Sequence, residues 1–350
     1  MSEKKGATVI DVALAAGVGA STVSRYVRGG QSVSAAVAAR IEEAISRLGY
    51  EPNHLARGLR GGRTQTLGVL VPHVNNVFFG NAIRIIQVEA QRRGYTVMLL
   101  MHQEDARLQE EQLASLKRSR VDGIILVPAA ETSADKVRRI LEETPVIAFD
   151  RPLHSELDAI TLDNRGAGQQ ATEHLLWHKH QQIVAVTAPY KLQPLQRRLK
   201  GHQEAMDAAG CNSETIVLHN PEQMGRELAA TLRRKRSPAT AILSLSYTLS
   251  IAILGSLRDH GIALGKVGFV GIDDLEFAQF VEPELTAVAQ PTEQLAQLCV
   301  EQLMRRIEGN ADRPVKTSLP GILKVRASCG CSLLKAGHGE SHPRPNYGAF

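Results

Sequence analysis

The spacing of apolar residues changes along the chain. Over the first fifty positions they recur at helical intervals in short runs: Val9, Val12, Ala13 and Ala16, then Val23 and Val27, then Val37, Ile41, Ala44, Ile45 and Leu48. Thr8 stands where an N-cap belongs, and Gly17, Gly19 and Gly49 punctuate the runs. The pattern predicts helices over about 9–16 and 20–27 and a third starting at Ser34. The second helix turns Val23 and Val27 inward. Its opposite stripe, Ser21, Ser24, Arg25 and Arg28, falls at i, i+3, i+4 and i+7 and is wholly polar. Two short helices joined by a tight glycine turn form a helix-turn-helix, with the third helix completing a small core.

The run from Tyr50 to Arg63 differs. Asn53 can cap a short helix, but Gly58 and Gly61-Gly62 leave that helix marginal by itself, so the segment reads as a linker that orders on binding. From Leu67 onward apolar runs of strand length alternate with amphipathic stretches. Strands are expected at 67–72, 95–101, 123–128, 146–150 and 159–163, with helices near 79–93, 106–119 and 134–143. A second series follows, with strands at 183–187, 215–219, 239–245 and 267–272 and helices near 195–209, 222–235 and 248–260. Strands this apolar between amphipathic helices belong to doubly wound parallel sheets, and two such series imply two lobes. A helix over 292–308 and a strand-like 323–326 remain to close them. The Gly-, Pro- and His-rich end after Lys335 has nothing to pack and reads as a disordered tail.

Charge sharpens this division. The whole chain of 350 residues carries +5, yet residues 1–65 hold nine basic and five acidic groups, leaving +1 for all the rest. A small basic module on a near-neutral body is the footprint of a protein that meets a polyanion. Aromatic residues make up only 4% and Trp177 is the single tryptophan, which excludes a stacking surface for single strands. No apolar run reaches the length of a membrane span and no signal core follows the N-terminus, so a cytoplasmic protein is expected. Cys211, Cys299, Cys329 and Cys331 lack metal-site spacing and read as small buried thiols.

The polar stripe of the second helix carries the clearest chemistry. Arg can bridge O6 and N7 of guanine in a major groove, and short hydroxyls can meet phosphates or base edges. Two other patterns carry less. Gly166-Ala167-Gly168 opens a helix after a strand, as in dinucleotide sites, but the acidic residue expected about twenty positions later is absent, so the glycines read as close packing. His174 and His178 are spaced to share a metal on one helix face, but Leu175, Leu176 and Trp177 offer no third ligand. No nucleophile elbow, phosphate loop or convergent acid-base set is present, and neither a cofactor nor a metal is expected.

Thr8-Val9-Ile10-Asp11-Val12-Ala13, Ala16-Gly17-Val18, Ser21-Thr22-Val23-Ser24-Arg25, Leu48-Gly49-Tyr50-Glu51-Pro52-Asn53 and Leu67-Gly68-Val69-Leu70-Val71-Pro72 together resemble the signature of the LacI/GalR family of bacterial repressors. The similarity runs on through Gly94-Tyr95, Val121-Asp122-Gly123, Asp150-Arg151-Pro152 and Gly271-Ile272-Asp273-Asp274 to Gln290-Pro291. The resemblance implies a homodimer on a near-palindromic operator, with the linker helices paired in the minor groove and a leucine wedged between base pairs. Leu59 matches that leucine, next to Arg60. The implied DNA-facing set is Thr8, Ala20, Ser21, Thr22, Ser24, Arg25 and Arg28, with Asn53, His54, Leu59 and Arg60 from the linker. Ala20 and Ser21 are small, which leaves Arg25 as the main direct reader.

The resemblance also implies an effector in the cleft between the lobes. Asp273 and Arg198 become its polar anchors, with Asn76, Phe78, Asp150 and Arg151 on the first lobe and Tyr247 on the second. A carboxylate and a guanidinium suit a polyhydroxylated ligand, since Asp accepts two hydroxyl bonds and Arg donates two. Two departures matter. Ser246-Tyr247 replaces the Asn-Asp pair of many sugar-responsive members, and Leu192 stands where purine-binding relatives have Arg. Arg151, Arg198 and Lys191 point to an acidic ligand such as a sugar acid or phosphosugar.

The expected organisation is therefore a helix-turn-helix domain over 1–50, a linker over 51–65, a two-lobed periplasmic-binding-protein-like α/β core over 66–332 and a tail over 333–350. The expected function is that of a ligand-responsive repressor. A two-lobed binding protein or α/β enzyme whose N-terminal helices serve only assembly is the alternative.

Overall fold

A computed structural model describes residues 7–27, 33–50, 63–153, 157–189 and 192–330. The linker positions Asn53, His54, Leu59 and Arg60, together with Arg28, Lys191, Cys331 and the tail, lie outside the described residues. The chain divides into two compact units, Met1–Thr64 and Gln65–Phe350.

The first unit holds α1 (Val9–Ala16), α2 (Ala20–Val27) and α3 (Ala35–Leu48). Thr8 and Asp11 close a capping box at the start of α1: the Thr8 backbone N–H donates to Asp11 Oδ2 at 2.7 Å, and the Asp11 N–H donates to Thr8 Oγ1 at 3.4 Å. Gly17, at φ +62°, ends α1 in a left-handed turn that a side chain would strain. Val12, Val23 and Ile41, one from each helix, are fully buried and form the core with Ala13, Ala16 and Ala44. The Tyr26 hydroxyl donates to the Glu42 carboxylate, tying α2 to α3.

The second unit is built on two six-stranded sheets. The first has the order β11-β5-β4-β3-β1-β2, from β1 (Thr66–Val71), β2 (Thr96–Met101), β3 (Gly123–Leu126), β4 (Val146–Phe149), β5 (Asp158–Leu162) and β11 (Lys316–Leu319), all parallel. The helices α4 (Val77–Arg92), α5 (Ala106–Arg118) and α6 (Ala134–Leu141) connect its strands. The second sheet has the order β12-β10-β9-β8-β6-β7, from β6 (Ile183–Thr187), β7 (Glu214–Val217), β8 (Ala241–Ser244), β9 (Gly268–Ile272), β10 (Thr286–Ala289) and β12 (Ile322–Lys324). With it go α7 (Asn164–Trp177), α8 (Gln193–Ala208), α9 (Pro221–Leu232) and α10 (Tyr247–Asp259). The central strands are buried along their whole length, as the continuous apolar runs require.

The chain crosses between the lobes three times: from β5 into α7, from β10 into α11 (Thr292–Ile307), and from β11 into β12. Helix α11 returns to the first lobe and buries Leu295, Ala296, Cys299, Val300 and Leu303 against its core. There Arg306 donates to both oxygens of the buried Asp158 at 2.6 and 2.8 Å. Burial alone would raise that carboxyl, but the guanidinium and the Val315 N–H outweigh it and hold it below its ordinary value. Strand β12 pairs antiparallel with β10, the one antiparallel pairing among the described strands.

The sequence pattern lacks two of these strands. Thr286–Ala289 is only four residues long, and Lys316–Leu319 is an edge strand whose alternate residues face solvent, so neither gives an apolar run. A simple succession of two series also hides the second and third crossings between the lobes, because α11 and β11 belong to the first lobe. Among the described residues no helix is long and apolar enough to cross a membrane. Of the cysteines, Cys299 and Cys329 are buried and Cys211 is half-buried.

Candidate functional site

On the first unit, Ala20, Ser21 and Arg25 are exposed along α2, with Thr22 and Ser24 half-buried beside them. Val23 on the opposite side is fully buried, so the helix cannot rotate without exposing it. Thr8 serves first as a cap, its hydroxyl 2.7 Å from Asp11 Oδ2, and keeps only its spare lone-pair capacity for anything else. The exposed stripe holds one guanidinium among short side chains, which suits entry into a major groove.

On the second unit, the predicted cleft residues gather at the carboxyl ends of the parallel strands, where open α/β sheets bind their ligands. Asp150 follows β4 and Asp273 follows β9, both in left-handed backbone conformations at φ +65° and +79°. Asp tolerates that region better than most side chains, but two such residues at facing strand ends mark a site held under local strain. Asp150, from the first lobe, is buried and lies within electrostatic reach of Arg198 and Asp273 of the second. Burial pushes the Asp150 carboxyl up, Arg151 and Arg198 draw it down, and Asp273 adds to the rise; the net shift is upward.

Arg198 is held rigidly. Its Nε donates to Asn164 Oδ1 at 2.7 Å and its Nη1 to the Leu245 carbonyl at 2.8 Å, with Asp273 Oδ2 4.0 Å away. Its Nη2 makes no hydrogen bond with the described residues, so the two N–H groups of that nitrogen remain for a ligand. The backbone beneath it is fixed by close packing. A Cβ on Gly168 of α7 would lie 2.0 Å from the Arg198 carbonyl oxygen, and one on Gly201 of α8 would lie 2.0 Å from the Arg165 carbonyl oxygen. The glycine pattern is thus helix packing. The N-terminus of α7 is filled by Asp163, whose Oδ1 accepts from the Gly166 N–H at 3.0 Å, where a pyrophosphate would otherwise sit.

Asp273 Oδ2 accepts from the Tyr247 N–H at 3.1 Å and Oδ1 accepts from Gln290 Nε2 at 2.7 Å. Tyr247 therefore meets Asp273 through its backbone, and its ring is half-buried. Gln290 was legible only as part of a family motif; its Oε1 is buried with no partner, an acceptor facing the same place. Asn76 caps α4, accepting from the Phe78 N–H at 3.0 Å. Phe78 is buried and stacks on Phe149, the residue before Asp150, with ring centroids 5.5 Å apart.

Arg151 departs from expectation. Its guanidinium donates to Glu104 Oε1 at 2.7 Å, Glu104 Oε2 at 2.9 Å, the Pro128 carbonyl at 2.8 Å and Asp150 Oδ2 at 3.3 Å. Glu104, invisible to the sequence pattern, neutralises it. Burial would raise Glu104, yet the Arg151 contacts hold that carboxyl below its ordinary value. Arg151 thus braces Asp150 and offers no spare cation to an acidic ligand.

His174 and His178 also depart from expectation, because the fold supplies the third ligand their neighbours in sequence lack. Cys329 approaches them, so that one ligand atom from each residue lies within 4.8 Å of the others.

A helix-turn-helix unit joined to a two-lobed cleft of this kind defines a DNA-binding regulator that responds to a small ligand. The comparisons agree. Residues 8–53 match the bacterial regulatory proteins of the lacI family, and residues 64–327 match the periplasmic binding proteins and sugar binding domain of LacI family. The chain belongs to the LacI family of bacterial transcriptional repressors. Among curated relatives it is 30% identical to the transcriptional regulator PtxS of Pseudomonas aeruginosa, over 92% of this chain and 95% of that one. It is 29% identical to the ribose operon repressor of Escherichia coli K12, over 92% and 99%. Of solved structures, the CelR–cellobiose complex is similar with a TM-score of 0.65 at 29% identity, over 92% of this chain and 99% of that one. The lac repressor dimer bound to operator shares the fold with a TM-score of 0.82 at 23% identity, over 93% and 99%. These relatives are regulators, and the chain is a transcriptional regulator, not an enzyme.

Proposed function

We propose that this regulator represses genes of carbohydrate or sugar-acid metabolism as a cytoplasmic homodimer, and that a sugar-sized effector between the lobes sets its affinity for operator. The observation that carries the reading is the meeting of buried Asp150 from one lobe with Arg198 and Asp273 from the other. A polyhydroxylated ligand there bridges both lobes and favours one of their relative positions. Ligand and operator then alter each other's affinity by the same factor. The ribose operon repressor and the CelR–cellobiose complex support a carbohydrate as the class. For a carboxylate on the ligand, the Arg198 Nη2 donor is the available partner; the pairing of Arg151 with Glu104 weighs toward an uncharged sugar.

In this reading Arg25 reads bases, Ser21, Thr22 and Ser24 fix the helix on phosphates or base edges, and residues 51–65 act as the linker, with Leu59 as the wedge and Asn53, His54 and Arg60 beside it. For the second copy, the apolar groove of Ile251, Leu254, Leu264, Phe277 and Val281, next to the 87%-exposed Phe280, supports a self-complementary face. Footprinting on DNA upstream of the gene, repeated with neutral sugars, sugar acids and phosphosugars, tests the whole. Protection of a near-palindrome that one carbohydrate class abolishes or enhances is expected. Protection that no carbohydrate changes would sink the effector assignment, and no protection at all would favour the assembly-only role of the N-terminal helices.

A further inference from the structure

The geometry points to a binding site for a thiophilic divalent transition metal at the C-terminal end of α7, formed by His174, His178 and Cys329, on a part of the second lobe that the proposed cleft does not use. His174 lies in the last turn of α7 and His178 caps its C-terminal end, four residues on, their ring centroids 4.9 Å apart and nearly perpendicular. Cys329 reaches them from the turn that follows β12, about 150 positions later in the chain. A ring nitrogen of each histidine and the Cys329 sulfur all lie within 4.8 Å of one another.

An observation independent of that clustering also points to a ligand. His174 is only 5% exposed, and its Nε2 is buried with no hydrogen-bond partner. A ring nitrogen left so is costly in a folded interior unless something accepts its proton or its lone pair, and a metal ion takes the lone pair.

The surroundings hold the sulfur in place. Thr286 Oγ1 donates to Cys329 Sγ at 3.3 Å, and that oxygen in turn accepts from the Arg326 N–H at 2.9 Å. Ser328, one residue before, accepts from the Thr286 N–H and donates to the Phe269 carbonyl, both at 2.8 Å, so the turn is pinned to β9 and β10. The Cys329 thiol itself donates to the Arg326 carbonyl at 3.4 Å. On metal binding that proton leaves to solvent and the sulfur keeps the Thr286 donor, the kind of outer partner that fixes a ligating group. His180 is nearby and acts as a support: its Nδ1 is engaged with Thr240 Oγ1 at 3.1 Å, and its ring also hydrogen-bonds the Cys329 backbone.

Two imidazoles and a thiolate form a borderline-soft set that selects Zn²⁺ and its neighbours over Mg²⁺ or Ca²⁺. Zn–N and Zn–S bonds of about 2.0–2.3 Å need the ligands to close by roughly 1 Å, which the half-exposed His178 can supply by a side-chain rotation. Three protein ligands leave a fourth position for water or an outside ligand. The bound ion would clamp the end of the chain's second-lobe sheet to α7, whose opposite end carries Asn164, the partner of Arg198.

The chain carries its own reporter. Trp177, its only tryptophan, lies 4.6 Å from the His178 ring, edge on. Chelator-treated, thiol-reduced full-length protein is titrated with Co²⁺, then with Zn²⁺. One equivalent of Co²⁺ should give a thiolate-to-cobalt absorption band and tetrahedral visible bands, and quench Trp177 fluorescence; Zn²⁺ should displace it and raise the melting temperature. C329S should abolish the thiolate band, and H178Q, on the half-exposed ligand, should weaken binding at least about tenfold while the far-ultraviolet circular dichroism stays unchanged. The absence of quenching and of a thiolate band in the wild type overturns the assignment. So does a band that survives C329S and disappears in C331S or C211S.

Discussion

Replacing Gly168 with Ala tests whether the α7–α8 contact fixes the cleft. The added Cβ would lie 2.0 Å from the Arg198 carbonyl oxygen and 2.9 Å from its Cα, and such contacts below 3.0 Å essentially never occur. Backbone atoms cannot swing aside as a flexible side chain can, so α8 must retreat by roughly 1 Å. Overpacking of this kind costs up to about 3 kcal/mol, against which Ala gains about 1 kcal/mol over Gly as a helix former. A net loss of about 2 kcal/mol lowers the melting temperature by about 4–8 °C for a unit of this size. The same retreat stretches the Arg198 bonds of 2.7 and 2.8 Å beyond hydrogen-bonding range, so the guanidinium loses its aim. Affinity for whichever carbohydrate stabilises the wild type should fall about 10- to 100-fold, or 1.4–2.7 kcal/mol. Thermal melts with and without that ligand, followed by calorimetric titration, read both effects. A variant that melts within about 1 °C of wild type and binds equally well would refute the reasoning, because it would show slack between the helices.

Four further outcomes follow from single groups. His202 is fully buried on α8, with Nδ1 2.9 Å from Thr172 Oγ1, and burial lowers its value from the ordinary 6.5 to about 4. The unfolded chain therefore takes up this proton first: stability is complete above pH 6.5 and is lost by up to about 3 kcal/mol as pH falls toward 4, a loss that urea titrations should find missing in H202Q. Asp273→Asn places an NH₂ against either the Tyr247 N–H or Gln290 Nε2, two donors face to face, and should weaken effector binding by about 1–3 kcal/mol in calorimetry. Asp150→Asn, which mimics the uncharged form that burial already favours, should cost far less; an equal loss would place the two acids in the same role. Arg25→Ala should erase preference for operator over random DNA in competition binding while changing the salt slope by only about one, whereas equal weakening on both DNAs would make Arg25 a phosphate contact.

The sequence announces the elements whose residues repeat with one period and hides those defined by a partner. Val12, Val23 and Ile41 show three helices because each helix buries one stripe, and the buried central strands show as unbroken apolar runs. Strand β11 cannot be seen that way: Lys316–Leu319 is a strand because β5 offers it an edge, and its own alternation is too short to stand out. The cleft acids were legible through their motifs, since Asp150 and Asp273 end strands. The side chains that decide their behaviour were not. Glu104 lies 47 residues from Arg151 and Gln290 17 from Asp273, and only the fold brings those pairs together.

That distinction changes what the charges in the cleft mean. Counted along the chain, Arg151 and Arg198 make the site look basic. In space Arg151 belongs to Glu104 and Asp150, a cluster with one more negative charge than positive before the proton affinity of buried Asp150 is considered. Arg198 likewise faces Asp273. The site is therefore a set of fixed donors and acceptors with little net charge, and its selectivity should come from hydroxyl geometry. A ligand carboxylate gains only from the one unsatisfied Arg198 nitrogen while meeting two carboxylates, and a neutral sugar meets neither penalty. Removing the negative partner of Arg151 tests this: Glu104→Gln keeps the side chain's size and one of the two oxygens that accept from Arg151, turns the other into a donor facing the guanidinium, and frees one positive charge, so it should shift preference toward the acid form of a sugar over its neutral parent by about tenfold in paired titrations. If the ratio stays at its wild-type value, net charge in the cleft does not govern ligand choice, and the spacing of Arg198, Asp273 and Gln290 does so alone.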